Sequence, residues 1–353
     1  MTGISLTGRL DLNAIFLRDR VTQLSEQIST GRKGNSYAAL GSDAPKSIDL
    51  RSELGRREAY QSTIGQTLSK VRISQNVLDR LGAIAEKFAA DATKLMGAAK
   101  PEEIQLQASQ AKAALVEVAN LFNEKFNGEY LFGGSDTHNP PIPDPDGIVG
   151  SGMVTGIIGK IMSLTTSNAT AVLADTKSLA QSNTASVTPF SEFLATGAGA
   201  SEGRRNLLGG DNERIEYGIF ANRNAAVVST GETTGSWARD LLRGLASIAG
   251  LTPEKAKLGD SYTQLITNVQ KGLKAGVDGL ALERGALGVT EARLESVRTH
   301  HASVTTSITL QLSDIEEVDM AKTITSFQAT QSQLEASYRA MAIAQQLSLT
   351  RFL

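Results

Sequence analysis

The sequence predicts a mainly α-helical protein with a β-rich insert: an elongated helical bundle or coiled coil, formed by the N- and C-terminal halves, with a side domain at its tip. Three observations predict this class. Apolar residues recur every three or four positions over long stretches of both halves. The middle of the chain is rich in Gly, Ser and Thr, and helical spacing fades there. Aromatic residues make up only 5% of the chain, which favours thin helical layers over one large core.

The two terminal segments carry the clearest apolar pattern. Alternating steps of three and four residues place side chains on one narrow stripe of an α-helix. Such a stripe must be covered, either because the two termini pair within one chain or because both pack against other subunits. Both interpretations indicate an assembly protein. The candidate subunit-interface residues are Leu10, Ala14, Leu17, Val21, Leu24, Ile28, Ile324, Phe327, Leu334, Tyr338, Met341, Leu347, Leu349 and Phe352.

Residues 1–32 are predicted to form an N-terminal assembly helix. Gly31 suits a helix end, and the basic residues that follow it interact favourably with the negative end of the helix dipole. Residues 33–139 are predicted to be the first half of a helical rod. Pro45 opens a helix that continues to about residue 98, and Pro101 opens a second helix that continues to about residue 127.

Residues 140–235 are predicted to form an inserted domain that is β-rich or mixed. A proline-rich boundary precedes it, and short apolar runs around Ile157 and Val172 favour strands. Residues 236–311 are predicted to be the second half of the rod, with helices at 237–248, about 253–277 and about 279–311. The last of these helices either continues into the C-terminal segment or breaks briefly at Ser313 and Asp314. Residues 312–353 are predicted to be the C-terminal assembly helix, and the acidic residues around Glu316 to be a solvated helix start.

The composition gives no support for catalysis or for a cofactor. The chain has no cysteine and 3 histidines, and it lacks the common phosphate-binding, zinc-protease and nucleophile-elbow motifs. A net charge of −2 gives no reason to expect bound nucleic acid. No stretch approaches the ~20 apolar residues of a membrane span, and no signal-peptide pattern opens the chain. We expect a non-enzymatic protein without cofactor, metal, nucleic acid or membrane insertion.

Two segments carry a resemblance to a known family. The sequence LSEQISTGRKGNS at residues 24–36, with SDAP at residues 42–45, resembles the N-terminal region of the bacterial flagellin superfamily. Residues 315–349 are similar to the C-terminal helix of that superfamily. The resemblance covers roughly residues 1–135 and 280–353. Within the superfamily, NGEYLFGGSDT at residues 127–137 and the last eight residues are similar to the hook-associated branch that joins the hook to the filament.

The resemblance implies a structural protein of the bacterial flagellum. It would be exported by the flagellar type III route, lie outside the cell, and assemble at the hook–filament junction through its terminal helices. The implied partners are further copies of the chain, other axial proteins (hook-associated proteins and flagellin) and an export chaperone. Two alternatives remain open: a filament flagellin that forms the long homopolymer, and a surface adhesin that binds a ligand through the insert.

Overall fold

The computed structural model describes residues 6–97, 100–223 and 231–349, and it describes side chains for residues 11–343 within those ranges. Helices dominate this part of the chain, which confirms the predicted mainly α-helical class. The helices are α1 (Leu6–Thr30), α2 (Ala44–Leu95), α3 (Pro101–Phe122), α4 (Gly152–Met162), α5 (Ala169–Gln181), α6 (Glu192–Ala195), α7 (Trp237–Ala249), α8 (Pro253–Ala256), α9 (Asp260–Glu316) and α10 (Met320–Leu349). The strands form two antiparallel pairs, β1 (Lys125–Phe126) with β2 (Glu129–Tyr130) and β3 (Arg205–Leu208) with β4 (Arg214–Tyr217). Within the described ranges, no helix is long and apolar enough to cross a membrane.

The chain divides into two compact units. The terminal unit consists of Met1–Gln61 and His300–Leu353, and the central unit consists of Ser62–Thr299. The terminal unit therefore holds α1, α10, the first part of α2 and the last part of α9, whereas the other helices and both strand pairs belong to the central unit.

In the terminal unit, α1 ends at the residue that the sequence predicts. Gly31 adopts a left-handed φ of +71°, which costs a glycine little, and its N–H donates to the Gln27 carbonyl oxygen at 2.8 Å. A 3₁₀ segment with Gly41 at φ +57° then leads into α2, whose first turn holds Pro45. The predicted start of the second helix is thereby confirmed to within a residue or two. α1 packs against α10.

The core of the central unit is built around α7. Every residue from Trp237 to Ala249 is buried, and the helix packs against α3, α4 and α5. Gly244 allows a close approach to α9, because a Cβ at that position would lie 2.3 Å from Leu273 Cδ2. The buried Arg243 guanidinium donates to the Leu173 carbonyl oxygen at 3.0 Å. A helix that is buried on all sides must have each of its polar side chains accommodated in this way.

In the central unit, α2 and α9 are connected by ion pairs along their length. Arg72 of α2 donates to Glu291 at 2.7 Å and to Glu295 at 2.5 Å, both on α9. Beneath these exposed pairs, Ile64 and Leu68 of α2 are fully buried. The apolar face supplies most of the stabilisation here, because exposed ion pairs contribute little each.

The insert contains helices where its short apolar runs predict strands. The run around Ile157 lies in α4 and the run around Val172 lies in α5. In α4, Ile157 and Ile161 are both buried one turn apart, and the Ser151 hydroxyl caps the helix by accepting a hydrogen bond from the Val154 N–H. An apolar run this short does not distinguish strand from helix by its periodicity. The insert is therefore mixed, and β3 and β4 supply the regular β-structure in its described part.

The C-terminal helix begins later than the predicted boundary at residue 312. α9 is continuous from Asp260 to Glu316, whereas the sequence predicts a helix end near residue 277. Of the two alternatives left open near residue 313, the helix continues through Ser313 and Asp314. α10 begins at Met320. Asp319 sets that start, because its carboxylate accepts a hydrogen bond from the Lys322 N–H at 3.1 Å, as an N-cap residue does.

Candidate assembly surfaces of the terminal helices

One face of α1 is covered by α10 within the same chain. Ala14 and Leu24 of the predicted interface set are buried, and Leu24 retains only 2% of its exposure. Further members of the set are half-buried: Leu17, Val21, Ile28, Phe327, Leu334 and Met341. Ile324 and Tyr338 remain exposed. Most of the described stripe is therefore covered by the opposite terminus, which is the first of the two interpretations that the sequence left open.

Four residues of the predicted set cannot be placed on either face. The side chains of Leu10, Leu347 and Leu349 lie outside the described residues, although their backbones belong to α1 and α10. Phe352 lies wholly outside the described residues. Their assignment to an interface stays a prediction.

A second apolar face of α1 is exposed to solvent. Leu12, Ile15 and Phe16 are spaced as neighbours on one side of a helix, and Phe16 is 69% exposed. The sequence prediction followed only one stripe and missed this second group, although its i, i+3, i+4 spacing is visible. Three large apolar side chains exposed side by side are unusual on a monomer surface and indicate a contact with another molecule.

A short backbone joint holds the end of α1 beside the start of α10. The Lys33 N–H donates to the Glu316 carbonyl oxygen at 2.8 Å, and the Val318 N–H donates to the Gly31 carbonyl oxygen at 2.9 Å. The Lys33 ammonium donates to the Ile315 carbonyl oxygen at 2.6 Å. A cation at the last carbonyl groups of α9 is favourable because the helix dipole is negative there.

Glu316 connects this joint to α2. The Ser47 hydroxyl donates to its Oε1 at 2.6 Å, and the Arg51 Nε donates to the same oxygen at 2.7 Å. These hydrogen bonds, first from Arg51 and then from Ser47, lower the pKa of the Glu316 carboxyl to about 2. The sequence placed this residue in a solvated helix start. That prediction is wrong, because Glu316 ends α9 and its side chain faces α2.

We expect Glu316→Gln to reduce the free energy of unfolding of the terminal unit at neutral pH. The folded-state pKa lies below the ordinary value of 4.5, so the stabilisation is present above about pH 4.5 and is lost as the pH falls towards 2. Solvent screening around the exposed Arg51 limits the effect to about 1–2 kcal/mol. Urea unfolding, followed by circular dichroism at several pH values, measures it.

The control for this measurement is Glu58→Gln, which removes an exposed carboxylate from the same stretch of α2. We expect a change within about 0.5 kcal/mol. The difference between wild type and Glu316→Gln should vanish near pH 2. A difference that persists unchanged at that pH contradicts a charge-dependent role for Glu316.

The terminal parts of the chain match known family models. Residues 17–137 match the bacterial flagellin N-terminal helical region, and residues 271–353 match the bacterial flagellin C-terminal helical region. Together the two matches cover more than half of the chain. They contain most of α1, the joint and all of α10.

The similarity to one named protein agrees with these two family matches. The chain is similar to flagellar hook-associated protein 3 of Escherichia coli strain K12, with 26% identity over 169 residues. The matched residues make up 46% of this chain and 53% of that protein, so the chain spans about half the length of this curated relative.

Proposed function

Because the chain belongs to the bacterial flagellin superfamily, we propose that it is a non-enzymatic structural subunit of the bacterial flagellum that acts at the hook–filament junction. The observation that carries this proposal is the exposed apolar face of Leu12, Ile15 and Phe16, on a helix whose opposite face is already covered by α10. Pairing of the termini within one subunit leaves this second face for neighbouring subunits.

The proposed mechanism is packing between repeated subunits. Full burial of one large apolar side chain contributes about 1.5–3 kcal/mol, so the three residues together supply several kcal/mol per contact. Part of this is offset by the loss of translational and rotational freedom on association. A single contact of this kind is weak. In a closed ring every subunit repeats the contact, and the repeated contacts together hold the ring. The still exposed Ile324 and Tyr338 extend the proposed contact onto α10.

Two observations support the junction over the long filament. The relative is a hook-associated protein by name. The segment at residues 127–137, whose sequence is similar to that branch, supplies the turn and the second strand of the β1–β2 hairpin: Asn127 and Gly128 have positive φ values of 51° and 81°, and Phe132 after the strand is fully buried. Residue types that tolerate positive φ are thus found at both central turn positions.

The proposal includes an extracellular location, export by the flagellar type III route and a transient export chaperone. Its partners are further copies of the chain, other hook-associated proteins and flagellin. The absence of cysteine fits a chain that travels unfolded and must not crosslink on the way. The proposed organisation is two assembly segments at residues 1–32 and 312–353, the second of which holds the last turn of α9 as well as α10, with two rod halves (33–139 and 236–311) and an insert (140–235). The family models support this division, because residues 138–270, which contain the insert, match neither model.

Phe16→Asp is expected to block assembly and to leave the monomer folded. The side chain is exposed, so the monomer loses almost no packing, and the free energy of unfolding should change by less than about 0.5 kcal/mol. In the assembled state a carboxylate would be buried without a partner, which is strongly unfavourable. Sedimentation of purified protein measures assembly, and a swimming assay measures motility in cells that carry the variant.

Asn13→Asp is the matched control, because it adds the same charge at an exposed polar position of α1. We expect it to assemble and to support motility. Normal assembly of Phe16→Asp, or equal loss in both variants, contradicts the proposed role of this face.

The position in the flagellum is tested by immunogold labelling of intact cells. A junction subunit gives label at the distal end of the hook. Label along the whole filament instead identifies a filament flagellin, and label on the cell body without flagellar label favours a surface adhesin. Purified junction subunits should also form short closed assemblies, whereas flagellin forms long polymers.

A further inference from the structure

The loop between α1 and α2 is folded, but it buries none of the residues of its 3₁₀ segment. That segment, Tyr37–Asp43, has no buried residue, and the Tyr37 side chain is 48% exposed. The loop is nevertheless compact, because the Ala39 N–H donates to the Ser36 carbonyl oxygen at 3.0 Å and a Cβ at Gly34 would lie 2.3 Å from the Ala39 Cβ. A folded loop that exposes its apolar side chains indicates a surface that another molecule covers.

This loop forms one wall of an open pocket of about 280 Å³ in the terminal unit. The rest of the wall includes Arg32, Arg51 and Glu316. Ile48 is 48% exposed and precedes Arg51 by three residues, so it lies on the same side of α2 and extends the apolar surface beside the pocket. The exposed side chains around this pocket are here called the receptor patch: Arg32, Tyr37, Leu40, Ile48 and Arg51.

Arg32 is the cation of the receptor patch that remains available to a partner. The Glu316 carboxylate on the pocket wall is already paired with Arg51. Glu317, whose backbone is bridged to that of Arg32, accepts a hydrogen bond from the Ser313 hydroxyl at 2.6 Å. Arg32 itself is exposed, and it forms no ion pair within the part of the chain that the structure describes. The receptor patch therefore combines apolar surface with a guanidinium group that can bind a carboxylate.

The exposed face of α1 has the complementary composition. Asp19 follows Phe16 by three residues and Ile15 by four, so its carboxylate lies on the same side of the helix as the apolar group that begins at Leu12. Asp19 is exposed and makes no ion pair with any residue that the structure describes. From Leu12 to Asp19 the face is about 10 Å long, at a rise of about 1.5 Å per residue. It presents three apolar side chains followed by one free carboxylate.

We propose that the receptor patch of one subunit binds the exposed face of α1 of a second copy of this chain. Phe16 enters the pocket beside Tyr37, and Asp19 pairs with Arg32. The two surfaces differ from each other, so the contact is head-to-tail and repeats from subunit to subunit around a closed ring or along a helix. This inference rests on the proposed function, because it names the surface that covers the apolar face of α1.

Cross-linking of introduced cysteines tests this contact, because the chain has no cysteine of its own. One full-length protein carries Ile15→Cys, and a second carries Ser36→Cys, a conservative change at an exposed position of the pocket wall. The two proteins are mixed, allowed to assemble and treated with a short bismaleimide, which links only neighbouring thiols. We expect a cross-linked dimer on a denaturing gel from the mixture and none from either protein alone, because a head-to-tail contact never brings two identical positions together.

The control mixture combines Ile15→Cys with Ser307→Cys, at an exposed position of α9 that lies in the same unit and outside the pocket. Equal cross-linking in the control mixture, or a dimer from one protein alone, overturns the proposal. If the mixture of Ile15→Cys and Ser36→Cys gives no dimer while Phe16→Asp still blocks assembly, the receptor patch is not the partner, and the proposed function stands. Normal assembly of Phe16→Asp overturns both.

An exchange of charges tests the pairing of Asp19 with Arg32. Asp19→Arg and Arg32→Glu should each lower the assembled fraction in sedimentation about tenfold, because like charges then meet at the contact. A chain that carries both substitutions should recover most of this loss, since each contact again joins opposite charges. Asp11→Arg, at an exposed position on another side of α1, is the matched control and should assemble as wild type does.

Urea unfolding of each monomer accompanies these measurements. Stable single variants that lose assembly, together with a double variant that does not recover it, overturn the proposal. If Arg32→Glu destabilises the monomer through its closeness to Glu316, the cross-linking result decides, because neither of its cysteine variants changes a charge.

Discussion

Leu24→Asp is expected to separate α1 from α10 and to abolish assembly. Leu24 is 2% exposed at the contact of the two terminal helices. A carboxylate at this depth must be buried without a partner or must force the helices apart, at a cost of about 3–5 kcal/mol. Because helices in proteins owe most of their stability to the packing of an apolar face, the pair should then lose its ordered structure. Far-ultraviolet circular dichroism should record the lost helix, and limited proteolysis should cut within both terminal helices.

The neighbouring Ser25 provides a matched control. It is exposed on the same turn of α1, so Ser25→Asp adds the same charge without burying it. We expect wild-type circular dichroism and wild-type resistance to protease. Terminal helices in the Leu24→Asp monomer that are as resistant as in wild type contradict a stabilising role for the buried contact.

The comparison of Leu24→Asp with Phe16→Asp distinguishes two kinds of contact on one helix. The first substitution is made at a face covered within the subunit, so monomer stability and assembly should both fall. The second is made at a face that is exposed in the subunit, so only assembly should fall. If both variants destabilise the monomer equally, the exposed face of α1 is not a separate surface.

Periodicity predicted the terminal helices well, and it could not assign their partners. The spacing of Leu17, Val21 and Leu24 requires only that something covers the stripe. Whether the cover is α10 of the same chain or a neighbouring subunit depends on how the chain folds back, which residue spacing does not encode. Leu12, Ile15 and Phe16 were missed because the prediction considered one apolar stripe of α1, and these three residues lie on the opposite side of the helix.

Local capping chemistry explains the other differences between sequence and structure. The start of α10 depends on the Asp319 side chain, which looks in sequence like one more member of an acidic run. Glu316 in the same run is recruited by Ser47 and Arg51, which are far away in sequence. Whether a carboxylate is solvated or stabilises the fold depends on long-range partners of this kind. A single sequence does not show which distant residues these partners are.

Trp237→Ala is expected to produce the largest loss of stability in the central unit. The Trp237 side chain is fully buried, and its ring lies 5.6 Å from the Phe122 ring, centroid to centroid. Removing it eliminates one of the largest apolar surfaces in the core and leaves a cavity that a helix packed on several sides cannot close. We expect the free energy of unfolding to fall by about 3–5 kcal/mol, measured by urea unfolding. Met162→Ala, at an exposed position of α4, is the control and should change it by less than about 0.5 kcal/mol, because little packing is lost there. A loss below about 1 kcal/mol for Trp237→Ala would mean that the surrounding helices relax into the space, and α7 could not then be the rigid centre of this unit.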